Sequence, residues 1–387
     1  MTTSNEPSTD AAKTDKKILT QISPRAFEHP LDRSAIQTLQ KVPGLDWVAR
    51  KFIATIGDKR MRLYFLASAV RVNPNQFGQV HGLFVEACRV LDIEEPPEVF
   101  VMQDFVVNAA AIGVDKPFIV LTSSLVEMLS PEEVQAVIAH ELGHVMCGHA
   151  LYTTLLIIIL KAWHFLLGIP GGGYAIWAIL LGLMEWSRKA ELTADRAGLL
   201  VSQDLAVSHQ VDMKLAGGKL TDQMNIAEFQ KQAEEYQAAG DVLDSVLKFQ
   251  LLLVQSHPLP VLRVVELQKW VDSGEYQKIL DGEYERRGDE PTNTWTEGVK
   301  ETAQDYKKAY DDSTDPLVTT LRDFTEGAAA TGVEIFSFLR TKLTSASEAA
   351  REKGARGGSG AKGEPGGEGP GGEGPGVADE PKSPRGK

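Results

Sequence analysis

The sequence predicts an α+β fold that is mainly helical and contains a small β-sheet. Apolar residues recur at helical spacing across residues 35–90 and 224–279, which is typical of amphipathic helices. Short apolar runs at residues 98–101, 105–107 and 118–121 are typical of strands. Helices therefore supply most of the body, and three short strands supply the sheet.

The two ends of the chain differ in composition from this body. Residues 1–18 are rich in Ser, Thr, Asp and Lys, so they cannot bury enough apolar surface to offset the entropy lost on ordering. Residues 354–387 are rich in Gly, Pro and Glu, with a repeat of five residues rather than the three of collagen. We predict disordered tails at both ends and a core domain at residues 19–310.

Charge and cysteine content limit the possible partners and compartments. The formal charge is −13, and the 40 basic residues are scattered, which argues against nucleic acid as a partner. Cys88 and Cys147 are the two cysteines, so no disulfide framework exists and a reducing compartment is expected. The polar N-terminus lacks the apolar stretch of a secretion signal. We therefore expect a cytoplasmic location.

Residues 313–350 predict one amphipathic helix near the C-terminus. Its apolar stripe consists of Leu317, Leu321, Phe324, Ala328, Ile335, Leu339 and Leu343. Two interpretations remain open. The helix packs on its own domain, or it binds a partner or a membrane surface.

A helix that begins near residue 130 carries the main chemical motif. Ser130 is a typical N-cap, Pro131 suits the first helical position, and Glu133 can close a capping box. The helix then runs into His140 and His144, which are four residues apart and therefore lie one turn apart on one face. Two imidazoles in this arrangement can bind one metal ion.

Zinc in a hydrolase takes three protein ligands and keeps one position open for water, so a third ligand is expected elsewhere. Glu191 is the leading candidate, on a predicted helix where Asp195 shares its face. Asp195 is expected to accept a hydrogen bond from a ligating histidine. Glu141, between the two histidines in sequence, is the expected general base that activates the zinc-bound water.

The segments His140–His144 and Glu191–Asp195, with Ser187 and Arg188 before the second, resemble the zinc peptidases typified by HtpX and the CAAX prenyl proteases, peptidase family M48. The resemblance covers about residues 90–270. It implies a gluzincin-type metalloprotease core that binds one Zn²⁺ per chain through His140, His144 and Glu191.

Two further segments resemble family patterns. Asn108, Ala109 and Ala110 lie in a segment similar to the edge strand above the metal, where a substrate peptide adds as another strand. His257, followed by Pro258 and Arg263, resembles a late family motif. His257 is either a transition-state donor or a structural histidine at a helix start.

The other histidines carry weaker expectations. His149 lies five residues after His144, off the face of the metal-binding helix, so we expect it to be a structural neighbour rather than a ligand. His29, His81, His164 and His209 are isolated in sequence and are expected to face solvent or pack in the core.

An apolar helical hairpin is predicted between the two ligand-bearing helices. Residues 150–169 and 174–184 are apolar and flank a Pro-Gly-Gly-Gly sequence. The first arm is long enough to span a bilayer, but Lys161 and His164 would be costly there. A packed or membrane-dipping hairpin and a two-pass anchor both remain open. Either one returns Glu191 to His144 and keeps the active site on the cytoplasmic side.

These features together predict a zinc-dependent endopeptidase that hydrolyses proteins or peptides, with protein quality control as its expected role. The alternative is a catalytically silent, zinc-bearing scaffold or adaptor that uses Asn108 and the C-terminal helix to bind partners. The presence of Glu141 favours the enzyme.

Overall fold

The computed structural model describes residues 16–40, 58–113, 116–166, 172–238 and 259–289. All of these residues belong to one compact unit, residues 1–341. The predicted C-terminal helix at 313–350, the tail at 354–387 and His257 lie outside the described residues.

Helices make up most of the described chain, as the sequence predicts. In chain order they are α1 (Pro30–Gln40), α2 (Asp58–Ser68), α3 (Gly78–Val90), α4 (Ser123–Met128), α5 (Pro131–Met146), α6 (His149–Leu166), α7 (Gly172–Ser202), α8 (Leu205–Gly217), α9 (Ile226–Ala238), α10 (Pro260–Asp272) and α11 (Glu275–Leu280). Short 3₁₀ turns occur at Pro24–Ala26 and Thr221–Gln223.

The sheet has four strands in the order β1-β2-β4-β3. They are β1 (Val70–Arg71), β2 (Glu98–Met102), β3 (Ala109–Ile112) and β4 (Phe118–Thr122). Strand β2 runs parallel to β4, whereas the β1–β2 and β3–β4 pairs are antiparallel. The strands predicted at 98–101 and 118–121 are therefore confirmed, and β3 lies at one edge of the sheet.

The strand predicted at residues 105–107 is wrong. The side chain of Asp104 accepts a hydrogen bond from the backbone N–H of Val106 at 3.0 Å, which turns the chain there. Phe105 is consequently 93% exposed and Val106 63% exposed. The strand begins only at Ala109, after this turn.

Helix α5 forms the centre of the described core. It begins as predicted, with Pro131 at the first turn and a capping box between Ser130 and Glu133. Glu133 also accepts a hydrogen bond from Lys214 of α8 at 2.6 Å. Every residue from 133 to 144 is buried, and α5 packs against α3, α7 and α8. The metal-binding motif therefore lies inside the protein.

Helices α5 and α7 cross at small residues. A Cβ atom added to Gly143 would lie 2.7 Å from the Cβ of Ala197 and 3.3 Å from the Cα of Ala194. A Cβ atom on Gly198 would lie 3.1 Å from the carbonyl oxygen of Ala136. These separations leave no room for larger side chains. The close crossing lets side chains from the two helices meet at one ion.

Helices α6 and α7 contain the apolar sequence predicted to form a hairpin, and they contact each other. Residues 167–171, which connect them, lie outside the described residues, so the hairpin remains a prediction. None of the helices in the described ranges combines the length and apolarity needed to cross a membrane.

The N-terminal segment at residues 16–29 is integrated into the domain. Ile22 forms a β-bridge with Arg286, and the N–H of Ser23 donates to the carbonyl of Glu285 at 3.0 Å. Lys16 and Lys17, which the sequence placed in the disordered tail, hydrogen bond to Gln135 and Asp281. This attachment positions α1 against α7.

Candidate metal centre

The structure brings the three predicted ligands together. The Nε2 atoms of His140 and His144 lie 3.2 Å apart, and the two carboxylate oxygens of Glu191 face them, Oε2 at 3.4 Å from His140 and Oε1 at 3.4 Å from His144. All three side chains are buried. The histidines come from α5 and the glutamate from α7, so the centre depends on the crossing of these helices. Two nitrogens and one oxygen thus form a group that could hold a metal ion.

Asp195 makes the contact that the sequence predicts for it. Its Oδ1 lies 3.0 Å from Nδ1 of His140. A proton on Nδ1 satisfies this contact and leaves the lone pair of Nε2 for a metal. Arg263 of α10 holds Asp195 through both carboxylate oxygens, with Nε 2.8 Å from Oδ2. Asp195 therefore fixes both the orientation and the tautomer of His140.

On the other side of the centre lie His149, a neighbour rather than a ligand as expected, and Asp32, which was not found from the sequence. Nδ1 of His149 lies 2.9 Å from Nδ1 of His144, and Nε2 of His149 lies 3.0 Å from Oδ2 of Asp32. The expectation for His149 assumed a continuous helix, but α5 ends at Met146 and Gly148 adopts a left-handed φ of 72°. The chain turns there, and His149 returns to His144. Nothing in the local sequence of Asp32 marks its contact with the centre.

The charges at the centre favour a bound cation. Burial by itself lowers the pKa of His140, but Asp195 and Glu191 outweigh burial and raise this pKa to about 10. Burial also acts to raise the pKa of Asp195, and the charge of Arg263 outweighs it, so this pKa is lowered. Burial lowers the pKa of His144. A metal ion that binds His140 has to displace the proton that the carboxylates stabilise.

A cavity of about 430 Å³ opens beside the centre. His140 and Glu141 line it, together with Asn108 and Ala109 at the start of β3. Further polar groups in its wall come from Asp195, Ser208, Asp212 and Arg263, and apolar groups come from Leu125, Val137, Val211, Leu215 and Leu267. The carboxylate of Glu141 is buried, only 1% exposed. A substrate in this cavity would meet the metal-binding group and Glu141 at once.

The predicted substrate residues differ in their surroundings. The N–H of Thr122 donates to the carbonyl of Asn108, which makes this a hydrogen-bonded pair of the β3–β4 ladder. By the alternation of an antiparallel ladder, the backbone of Ala110 also faces β4 and that of Ala109 faces the outer edge. Asn108 and Ala109 line the cavity, whereas Ala110 is not part of its lining.

This combination defines a class of protein. Three donors converge beside a cavity that one of them, His140, lines, and a buried carboxylate follows this ligand in sequence and lines the same cavity. Such a site can hold a metal ion beside a substrate and move a proton there, which is the arrangement of metal-dependent hydrolases.

Comparisons with known proteins agree with this class. A family model described as "Peptidase family M48" matches residues 74–271, about half of the chain. The chain belongs to peptidase family M48 and is a metalloprotease. The resemblance seen in the motifs is thereby confirmed.

Individual relatives carry similar names. "Plastoglobule-localized metallopeptidase 48, chloroplastic" of Arabidopsis thaliana is 40% identical over 261 residues, which cover 66% of this chain and 74% of that protein. "Protease HtpX homolog 2" of Methanosarcina mazei is 27% identical over 172 residues, 38% of this chain and 58% of that protein. "Protease HtpX homolog" of Helicobacter pylori J99 is 30% identical over 165 residues, 36% of this chain and 53% of that protein.

The chain therefore covers little more than half the length of these two HtpX relatives. No solved structure matches it.

Proposed function

We propose that the protein is a zinc-dependent endopeptidase that cleaves peptide bonds in protein substrates. The spacing of the three donors carries this proposal. Zinc bonds of about 2.0–2.1 Å in a tetrahedral site place neighbouring ligand atoms about 3.3–3.4 Å apart. The two Nε2 atoms are 3.2 Å apart, and the Glu191 carboxylate approaches each of them to 3.4 Å, with Oε2 at His140 and Oε1 at His144. Two imidazoles and one carboxylate also leave a fourth position open, as in catalytic rather than structural zinc sites.

The chemistry follows from the residues around this group. Zinc bound here would polarise the scissile carbonyl and lower the pKa of a water molecule. Glu141 accepts a proton from the attacking water and passes it to the leaving amine. Because Glu141 is buried at the cavity wall, bulk solvent competes little for this proton.

Strand β3 supports a mode of substrate binding. We propose that an extended substrate peptide meets the edge of the sheet along Asn108, Ala109 and Ala110 and adds as a further strand. The backbone of Ala109 faces the outer edge and would face the peptide, whereas those of Asn108 and Ala110 face β4 and hold the edge in place. His257 lies outside the described residues, so its proposed role as a transition-state donor rests on the sequence motif.

The biological setting is also a proposal. We propose that the enzyme removes unfolded proteins and that it works in the cytoplasm. We also propose that α6 and α7 form a helical hairpin beside the metal centre. The name of the Arabidopsis relative suggests plastoglobules as a second compartment. Fractionation of cells, with the protein followed by immunoblot, decides between these compartments.

The Glu141→Gln variant tests the proposed reaction. It should keep its zinc, because Glu141 is not a ligand, and lose activity by about 10²–10⁴-fold, the usual contribution of a general base. The measurement is cleavage of an unfolded protein substrate alongside the metal content. Glu132→Gln, an exposed change in the same helix, is the matched control and should keep full activity. Unchanged turnover in Glu141→Gln would remove Glu141 from this role, and zinc-loaded wild-type protein without turnover would favour the scaffold.

A further inference from the structure

The two histidines of the metal centre have different partners behind them. Asp195 contacts Nδ1 of His140 directly, whereas Nδ1 of His144 is connected to a carboxylate through a second imidazole. That connection runs from His144 to His149 and from His149 to Asp32, with separations of 2.9 and 3.0 Å. All three side chains are buried, so water does not compete for these contacts.

The protons of this connection can be assigned from its two ends. A metal on Nε2 of His144 leaves the proton on Nδ1, so Nδ1 donates to Nδ1 of His149. The proton of a neutral His149 is then on Nε2 and points to Asp32. An ionised Asp32 can only accept, which completes the assignment.

The surroundings of Asp32 hold it as an acceptor. Nε1 of Trp186 donates to Oδ1 of Asp32 at 3.1 Å, and the hydroxyl of Thr193 donates to Oδ2 at 2.6 Å. The Thr193 hydroxyl also accepts from the backbone N–H of His29 at 3.0 Å, which directs its own proton to Asp32. Asp32 thus accepts hydrogen bonds from two donors of α7, the helix that also carries Glu191.

We propose that Asp32 and His149 form a relay that positions His144 for the metal, and that Asp32 is a positioning residue supplied by the N-terminal segment. We call this pair the His144 relay. Asp32 lies before residues 74–271, the part of the chain that matches the family model. The inference rests on the proposed metal site, and it adds a contribution from outside the matched region.

A purely structural role for Asp32 predicts a different outcome. In that case Asp32 would only join α1 to α7, and its loss would lower stability without a specific effect on metal binding. The His144 relay instead predicts that metal affinity depends on Asp32 only while His149 is present. A double-mutant cycle separates the two roles.

The experiment measures the dissociation constant for zinc in the full chain by competition with a chelator. His149→Leu removes the acceptor for His144 and should weaken zinc binding by about 10–100-fold. Asp32→Asn should also weaken it, because an amide cannot accept from both Trp186 and His149. The double variant Asp32→Asn with His149→Leu should bind zinc as His149→Leu does.

Two further variants control for folding. His149→Asn places an amide oxygen near the position of Nδ1, so it should bind zinc more tightly than His149→Leu. His209→Leu replaces another buried histidine and should leave zinc affinity unchanged. Thermal melting of each metal-free protein measures how far the substitution destabilises the fold. A loss of stability can thereby be separated from a loss of zinc affinity.

Wild-type affinity in His149→Leu would overturn the relay. Equal losses from Asp32→Asn with and without His149 would also overturn it, because Asp32 would then act by another route. If Asp32→Asn fails to fold, the comparison of His149→Asn with His149→Leu decides, and equal affinities contradict the relay. Absence of zinc binding in the wild-type protein would instead contradict the metal site.

Discussion

Arg263 is buried among the three carboxylates of Asp195, Glu191 and Asp212. Its guanidinium holds Asp195 through both oxygens, lies 3.6 Å from Glu191, and lies 3.5 Å from Asp212. A single positive charge therefore lies close to three acidic groups. Asp195 receives the close contacts and stays ionised, while Glu191 and Asp212 receive only longer ones.

This excess of buried carboxylates over positive charge makes the stability of the metal-free protein depend on pH. Burial raises the pKa of Asp212 from 3.8 to about 7, against the opposing effect of Arg263. The folded protein then binds this proton more tightly than the unfolded chain does. Asp212 therefore lowers the free energy of unfolding as pH rises from about 4 to about 7, by at most about 1.4 kcal/mol for each unit of the shift.

We expect Asp212→Asn to remove this part of the pH dependence. The measurement is urea unfolding of chelator-treated protein between about pH 5 and about pH 8. The wild-type protein should lose stability over that range relative to the variant. Asp222→Asn, at an exposed position, serves as the control. Parallel pH profiles for the wild type and Asp212→Asn would show that Asp212 ionises normally.

At the level of elements, the crossing of α5 and α7 determines the positions of the three donors of the metal centre. Gly143 follows Leu142 in the motif and precedes the second histidine, at the point where α5 touches Ala194 and Ala197 of α7. Glu191 is one turn before Ala194 on the same helix. A change in the distance between the helices therefore moves the third donor away from both imidazoles.

Gly143→Ala should lower both stability and metal affinity. The added methyl would lie 2.7 Å from the Cβ of Ala197, so the helices must separate, at a cost of about 1–3 kcal/mol. Gly82→Ala in α3 is the matched control, because a Cβ there meets nothing within 4 Å. It should stabilise the protein by up to about 1 kcal/mol through helix propensity. Denaturant unfolding and zinc titration of both variants provide the comparison. Wild-type behaviour of Gly143→Ala would show that the crossing tolerates a wider separation.

Local sequence was enough to predict the elements that carry the ligands. The start of α5 follows from Ser130 and Pro131, and strands β2 and β4 follow from their apolar runs. The family resemblance placed an edge strand at Asn108 to Ala110, where β3 lies, but the apolar runs placed a strand at 105–107, because three alanines have little strand propensity whereas Phe105 and Val106 have much. The turn at Asp104 outweighs the strand propensity of Phe105 and Val106.

The residues of the metal centre were also predicted only where the local sequence carries a signal. Spacing along one helix pairs His140 with His144, and Asp195 follows from its place beside Glu191. The contacts of Asp32 and Asp212 join segments far apart in sequence, and no local pattern encodes them. His149 is a neighbour and not a ligand, as expected, but its direct contact with His144 was not predicted, because a helical projection fails once the helix ends.

At the scale of the whole molecule, the domain extends beyond the segment that matches the family model. Residues 21–23 pair with residues 285–287, and the N–H of Leu19 donates to the carbonyl of Val90 at 2.8 Å. The main apolar cluster contains Leu19, Ile22 and Phe27 together with buried apolar side chains of α5. The N-terminal segment therefore completes the core and carries Asp32 to the metal centre.

Leu19→Ala should cost about 2–5 kcal/mol of unfolding free energy, because Leu19 is 1% exposed and its loss leaves a cavity. The neighbouring change Ile18→Ala should cost less than about 0.5 kcal/mol, since Ile18 is 47% exposed. Urea unfolding of the two variants measures the difference. Equal stabilities would show that the segment contributes little to the core.

The metal content of the purified protein, measured by mass spectrometry after dialysis, tests the three-donor site most directly. The wild type should hold about one zinc ion per chain, and Glu191→Ala should hold far less because two imidazoles alone bind zinc weakly. Glu132→Ala, an exposed change on α5, should match the wild type. One zinc ion per chain in Glu191→Ala would contradict the proposal and place the third ligand on another residue.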